Sequence, residues 1–397
     1  MIKVLHILPY EKYVDCVVDM WDKSVGQCEY VCVDQVEEQI SSTFPKGISM
    51  VSDGQLIEKI IRGDYNVIVF SSLPTHYYHY VLHVPKEKKI IWQSVGYDIY
   101  NSCYPFKAVV TLPLFKPLTR EFIRKSQEKS SKLQIRHLFS MIFKPVTNYK
   151  KCQHVRKLET DALNLQNTVL QRIDYISTVL DVEYKLLKLN PQIIAQHFAF
   201  KYIRPIEVSY NNQLINFERT KYILIGNSGD ETNNHLDILR LISQRGIDNP
   251  LFVPLAYGGE KDYVDMLCEK LNDNSGNVIL KRFTDRNTYL ELLLQCRAAV
   301  FGHIRQQALG NISVMLMQGC KVFLYKDSVT YKYFKELGVC VFSIEDDLTQ
   351  EAINTPLSAK QISHNSKCFE GEYEKTLAKF KNDVIQIKDE VEKSRNQ

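Results

Sequence analysis

Cysteine is scarce: ten are spread over 397 residues and none form a C-x-x-C. A disulfide scaffold needs a far denser set and a zinc site closer spacing, so reduced, mostly buried thiols are expected. No stretch of 18 consecutive apolar residues occurs, which excludes a membrane-spanning helix. The opening MIKVLHILPY lacks the long apolar core and small-residue cleavage site of a secretory signal, and it reads instead as a buried first strand ending at Pro9. These absences point to the cytoplasm, or to a membrane surface reached from that side. G-x-G-x-x-G and the P-loop Gly-Lys-Ser/Thr are missing as well, which argues against a dehydrogenase or an NTPase. No D-x-D occurs. The nearest acidic cluster, Glu345-Asp346-Asp347, reads as a helix N-terminus rather than a cation site, so no metal is expected.

What remains is the composition of a globular protein, 45% hydrophobic and 24% charged, in a chain long enough for two to three domains. Fifty basic against 46 acidic residues leave a net charge of +4, too small to make the whole molecule a nucleic-acid binder. The charge is unevenly spread. Between Lys107 and Lys157 thirteen Lys and Arg face only Glu121 and Glu128. Such a block on an otherwise acidic body marks a surface for anions, although it also reads as a solvated basic hairpin. Apolar LFSMIFKP at 138–145 and Phe106, Phe115 and Phe122 are mixed into it. That mixture favours an anionic bilayer, with Lys125, Lys129, Lys132, Arg136 and Lys144 as its contacts.

Short apolar runs alternate with helical patterns on both sides of this block. The first half has strand candidates at 2–8, 29–33, 67–71, 89–92, 175–180 and 193–198, and a helix at 53–62. The second has strands at 221–225, 251–254, 277–280, 298–302, 321–325 and 339–343, with amphipathic segments at 233–244, 260–271, 286–296 and 308–318. This alternation predicts an α/β protein: two Rossmann-like domains with parallel sheets facing a cleft. The expected boundaries are 1–205, with the basic insertion at about 103–170, then 206–365, then a C-terminal helix over 366–397. That helix carries one apolar stripe, from Phe369, Tyr373 and Leu377 to Phe380, Val384 and Ile387, and is expected to pack across a sheet domain.

Three strand-to-helix loops carry candidate chemistry. In KYILIGNSGDETNNH a strand runs into Gly226-Asn227-Ser228-Gly229-Asp230, and a helix is expected to start near Thr232. Glycines allow a sharp bend, and a helix N-terminus offers unpaired N–H groups to a diphosphate. The stretch also reads as a tight turn with Thr232 as N-cap. In FGHIRQQALGN, Arg305 suits a phosphate, and the amides of Gln306 and Gln307 suit a ribose or sugar hydroxyl. Pairing of Arg305 with a carboxylate is the alternative. In WQSVGYDIY, Asp98 follows a strand, where a carboxylate can act as general base or as an N-cap. His76, and Tyr257 in VPLAYGG as a stacking partner for a base or sugar, are lesser candidates.

GNSGDETNNH, VPLAYGG, RQQALGN and WQSVGYDIY together resemble glycosyltransferase family 56, the bacterial TDP-4-acetamido-4,6-dideoxygalactose (Fuc4NAc) transferases of common antigen synthesis. The similarity is strongest over 221–350, moderate at 88–100 and 175–200, and absent between about 103 and 170. His303, Asn311 and the basic insertion depart from the family pattern. The resemblance implies a GT-B fold with the nucleotide sugar held mainly by the second domain. It places donor-binding groups at Gly226, Asn227, Ser228, Gly229, Asp230, Asn233 and His235, and again at Arg305, Gln306, Gln307 and Gly310; Asn311 and Tyr257 join the donor-site candidates by their place in these loops and not through the family pattern. In the first half it marks Trp92, Gly96, Asp98 and Tyr100.

The resulting expectation is a metal-independent glycosyltransferase without a cofactor. It moves a Fuc4NAc-like sugar from a TDP donor to a polyprenyl-diphosphate-linked oligosaccharide, peripherally, at the cytoplasmic face of the bacterial inner membrane. Arg305 and a helix N-terminus stabilise the leaving diphosphate, Asp98 is the general base, and no nucleic acid is bound. Two other readings fit the same residues. One is a GT-B enzyme with another nucleotide sugar, or a nucleotide-sugar epimerase; the other is a non-catalytic protein that binds anionic membrane or RNA.

Overall fold

A computed structural model describes residues 2–9, 14–25, 27–33, 47–101, 103–139, 148–200, 217–272 and 274–395; the side chains at 15, 16, 23, 129–139, 148–155 and 219 lie outside that description. The strands are β1 (Val4–Leu8), β2 (Cys28–Val33), β3 (Ile48–Val51), β4 (Val67–Ser71), β5 (Lys89–Gln93), β6 (Tyr175–Ser177), β7 (Gln196–His197), β8 (Tyr222–Ile225), β9 (Leu251–Pro254), β10 (Val278–Leu280), β11 (Cys296–Phe301), β12 (Lys321–Leu324) and β13 (Phe342–Ser343). The helices are α1 (Val14–Val25), α2 (Asp53–Arg62), α3 (Tyr78–His83), α4 (Tyr97–Tyr100), α5 (Pro117–Phe139), α6 (Asn148–Arg172) and α7 (Asp181–Leu187). They continue as α8 (His235–Gln244), α9 (Lys261–Asn272), α10 (Arg286–Leu293), α11 (Leu309–Met317), α12 (Val329–Leu337), α13 (Gln350–Ile353) and α14 (Ala359–Arg395).

The chain divides into two compact units. The first comprises Met1–Thr111, Asn148–Arg204 and Glu372–Gln397, and the second Leu112–Thr147 and Pro205–Gly371. Among the described residues each unit holds one sheet, ordered β3-β2-β1-β4-β5-β6-β7 in the first and β10-β9-β8-β11-β12-β13 in the second. Every pairing is parallel, as between Val4 and Val67 or Ile225 and Val300. Both sheets follow the Rossmann strand order, with the reversal between β1 and β4 and between β8 and β11.

Most of the expected elements are present because their patterns are strong. Helix α2 spans the residues predicted for it, and Ser52 and Gln55 close a capping box at its start. Strand β3 is absent from the sequence pattern because two of its four residues are exposed. The candidates at 193–198 and 339–343 reduce to two-residue strands at the sheet edges.

The core of the first unit is aromatic. Trp21 stacks on Phe198 at 5.6 Å and meets Phe380 of α14 edge-on at 5.1 Å. Phe380, Val384, Ile387 and Val391 join this cluster, so the expected stripe is real and its C-terminal half is a core element. Each such side chain contributes about 2–3 kcal/mol by burial. In the second unit Ile223, Ile225, Tyr263, Leu267, Val300 and Phe323 form the core, with Phe122 of α5 packed against it.

Candidate functional site

In the second unit, the strands' C-terminal ends carry the candidate loops, and β8 and β11 lie at the switch point where ligands enter such sheets. After β8 the chain turns through Gly226 at φ +65°. Most amides of this bend are already used. Gly226 N donates to Val300 O at 3.0 Å, Gly229 N to Tyr257 O at 2.8 Å, and Asn233 N to Asp230 O at 3.0 Å. Asn227 N donates to Asn233 Oδ1 at 3.2 Å, and Thr232 N to Asp230 Oδ1 at 2.9 Å. Asn233 is fully buried and also donates through Nδ2 to Ser228 O, Ser228 Oγ and Asp230 O. These amides cannot cradle a diphosphate, and Gly226, Ser228 and Gly229 are buried. The expected anion role of this bend is therefore corrected: its glycines serve close packing. A Cβ on Gly226 would come within 2.9 Å of both Asn233 Oδ1 and His235 Nε2.

The start of α8 differs from expectation too. Glu231–Asn233 form a 3-10 turn capped by Asp230, not Thr232, and α8 begins at His235. The side chain of Asn234, at φ 52°, donates to Leu114 O at 3.0 Å and Gly302 O at 2.7 Å and accepts from Lys116 N at 2.7 Å. Asp237, one turn on, accepts from Leu118 N, Thr119 N and Thr119 Oγ1 at 2.8–2.9 Å. These bonds lay Leu114–Thr119 across the start of α8, and Asp237 caps α5. Through them the first part of the basic stretch folds with the second unit rather than with the N-terminal domain. His235 lies wholly buried, with its pKa lowered to about 4 by burial, so it is a neutral core group and not a donor ligand.

The loop after β11 is different. Gly302 tolerates no side chain, because a Cβ there would overlap Asn233 O. His303 is buried and donates through Nδ1 to Arg305 O at 3.0 Å. Burial, then the Arg305 charge, lowers its pKa to about 3. This neutral ring holds the backbone of Arg305, whose side chain is part-exposed. Gln307 donates to Asn227 Oδ1 and accepts from Thr232 Oγ1, both at 2.9 Å. Ala308, at φ 59°, stands at the N-cap of α11, where it has no side-chain oxygen to offer. Gly310 in the first turn is exposed, and a Cβ there would meet nothing within 4 Å. Asn311 is committed to Tyr289 Oη at 2.8 Å, Gln306 is buried, and Tyr257 Oη accepts from Asn227 Nδ2 at 2.9 Å. Phe283, after β10, stacks on Tyr257 at 5.5 Å; an exposed aromatic in KRFTDR was the one signal for it.

In the first unit Asp98 accepts five hydrogen bonds: from Leu73 N, Trp92 Nε1, Ser94 Oγ, Val95 N and Gly96 N, at 2.7–3.1 Å. A carboxylate has about four lone-pair positions, so none is left to take a substrate proton. Burial raises its pKa and these donors oppose the rise. The general-base expectation is corrected accordingly. Asp98 ties the loops after β4 and β5 together, next to Ser72 at φ 99° and Gly96 at φ 98°. Tyr100 Oη donates to Glu183 at 2.8 Å within the core. Of the expected membrane contacts, Lys125 pairs with Glu121 at 2.6 Å. The side chains of Lys129, Lys132 and Arg136, and all of Lys144, lie outside the described residues.

Two parallel sheets in this order define a GT-B fold, and solved structures agree. The chain is similar to a UDP-forming α,α-trehalose-phosphate synthase from Burkholderia xenovorans, with a TM-score of 0.57 and 10% identity over 98% of each chain. It is similar to AviGT4, a glycosyltransferase involved in avilamycin A biosynthesis, with a TM-score of 0.51 and 9% identity over 98% of each chain. It is likewise similar to Anabaena HepE in complex with UDP-glucose, with a TM-score of 0.51 and 13% identity over both whole chains. The sequence profile of glycosyl transferase group 56, described as 4-alpha-L-fucosyltransferase, matches residues 167–381, and the chain belongs to that family. It is a glycosyltransferase of the hexosyltransferase type.

Proposed function

We propose that the protein transfers a deoxy-amino hexose of the Fuc4NAc kind from a TDP-linked donor to a hydroxyl of a polyprenyl-diphosphate-linked oligosaccharide, without a cofactor. The family description supports a fucose-type donor, and structures of the same fold hold UDP and UDP-glucose. The observation that carries the reading is the start of α11. There an uncapped helix end and open space at Gly310 lie at the strand edge where Rossmann sheets bind ligands, and the part-exposed Arg305 stands in the loop that leads into the helix. Breaking the anomeric bond leaves extra negative charge on the departing diphosphate. The helix dipole and Arg305 stabilise that charge electrostatically, and Gln307 orders the loop through Asn227 and Thr232. No helix among the described residues is long and apolar enough to cross a membrane, so the lipid-linked acceptor would be met at the bilayer surface, through the basic stretch.

The test is Arg305→Ala assayed with the TDP-sugar and a lipid-diphosphate acceptor. Turnover is expected to fall about 100-fold, the cost of losing one transition-state charge partner, with the melting temperature unchanged. Turnover within threefold of wild type would remove Arg305 from the reaction. Retained activity in excess chelator is expected as well; loss restored by a divalent cation would assign the diphosphate charge to a metal.

A further inference from the structure

Along the second sheet the strands run β10, β9, β8, β11, and the loop after each carries one residue of a continuous row: Phe283, Tyr257, Asn227 and Gln307. Three contacts link the row: Phe283 stacks on Tyr257 with ring planes 23° apart, Tyr257 Oη accepts from Asn227, and Asn227 accepts from Gln307. Gln307 immediately precedes Ala308, the N-cap of α11. From β10 to β11 is three strand intervals, about 14 Å at the usual spacing, which is near the reach of an extended nucleoside diphosphate.

The aromatic end of the row stands on closely packed loops and is open to solvent. Tyr257 O accepts from Gly229 N, Leu255 N donates to Leu280 O, and a Cβ on Gly259 would overlap Gly229 O, so the loops after β8, β9 and β10 are pressed together. Yet Tyr257 is 48% and Phe283 61% exposed. Two large stacked rings at a strand edge with about half their surface in water are a stacking platform for a planar group, worth about 1–3 kcal/mol per stacked base.

We propose that Phe283, with Tyr257, is the platform on which the base of the nucleoside diphosphate stacks, and that Asn227 is a positioning residue coupling it to α11. This rests on the reading of α11 and Arg305 as the diphosphate site, and the two can fail separately. Calorimetry with TDP and with inorganic pyrophosphate on the full chain separates them. Phe283→Ala is expected to weaken TDP at least fivefold while pyrophosphate affinity stays within twofold of wild type. Tyr257→Phe, which keeps the ring and loses the bond to Asn227, is expected to lose less TDP affinity than Phe283→Ala. Unchanged TDP affinity in Phe283→Ala overturns the platform, as does an equal loss of TDP and pyrophosphate. A wild-type protein that binds TDP but whose pyrophosphate affinity ignores Arg305→Ala overturns the diphosphate site instead.

Discussion

Two helices of the second unit begin beside each other at the sheet's switch point, and their N-termini have opposite fates. The start of α8 is closed: Asp230 caps the turn before it, Asn234 ties it to Leu114 and Gly302, and Asp237 hands its charge to the first turn of α5. The start of α11 is open: Ala308 caps nothing, and Gly310 leaves space above the first turn. The glycine-rich stretch belongs to the closed helix. Glycine content alone therefore does not mark an anion site; the question is whether the amides it frees are consumed by the protein's own acceptors.

The contrast can be broken in three places. The largest expected effect is on stability and is shared by both loops, since each buries a neutral histidine. His235 and His303 have folded pKa values of about 4 and 3, below the ordinary 6.5 of an unfolded chain. The unfolded state therefore takes up protons first as pH falls below 6.5, and stability, complete above that value, declines toward the folded pKa values. Each histidine removes up to about 1.4 kcal/mol per pH unit and less close to pH 6.5, so about 3 kcal/mol is lost from the pair between pH 6.5 and 5. Urea midpoints at the two pH values measure it, and a flat profile would mean that the rings are solvated. Next, Asn234→Ala leaves the carbonyls of Leu114 and Gly302 and the amide of Lys116 without their partner. A stability loss of about 2–3 kcal/mol is expected, against little change in TDP affinity once folded. If TDP binding fails while the fold persists, α8 is a ligand site after all. Smallest is Gly310→Asp, which adds a carboxylate to the open first turn of α11. The helix gains a few tenths of a kcal/mol from its dipole, while TDP binding weakens about tenfold through like-charge repulsion. Stronger TDP binding would show that the diphosphate lies elsewhere.

Much of the fold is legible in the sequence because its causes are local. The apolar runs at 67–71 and 251–254 and the capping box at Ser52 and Gln55 depend on neighbours within a turn or a strand. The site is less legible because its decisive contacts are distant in the chain. Nothing near Asp98 indicates that Leu73 N will occupy it, and nothing near Asp237 indicates that it caps a helix starting at Pro117. Arg305 and the loop carrying it could be picked out, since a guanidinium at a strand end is chemically conspicuous. Phe283 carries only a weak signal, an aromatic in KRFTDR, because its meaning depends on Tyr257 lying one strand away.

The tail helix sets an order of events during synthesis. Phe380, Val384, Ile387 and Val391 complete a core begun by Val4, Trp21 and Tyr30. The first unit therefore cannot close until those residues leave the ribosome, by which time both stretches of the second, Leu112–Thr147 and Pro205–Gly371, have already been made. The half that starts first finishes last. Its unfinished aromatic surface is where a chaperone would be needed in the meantime.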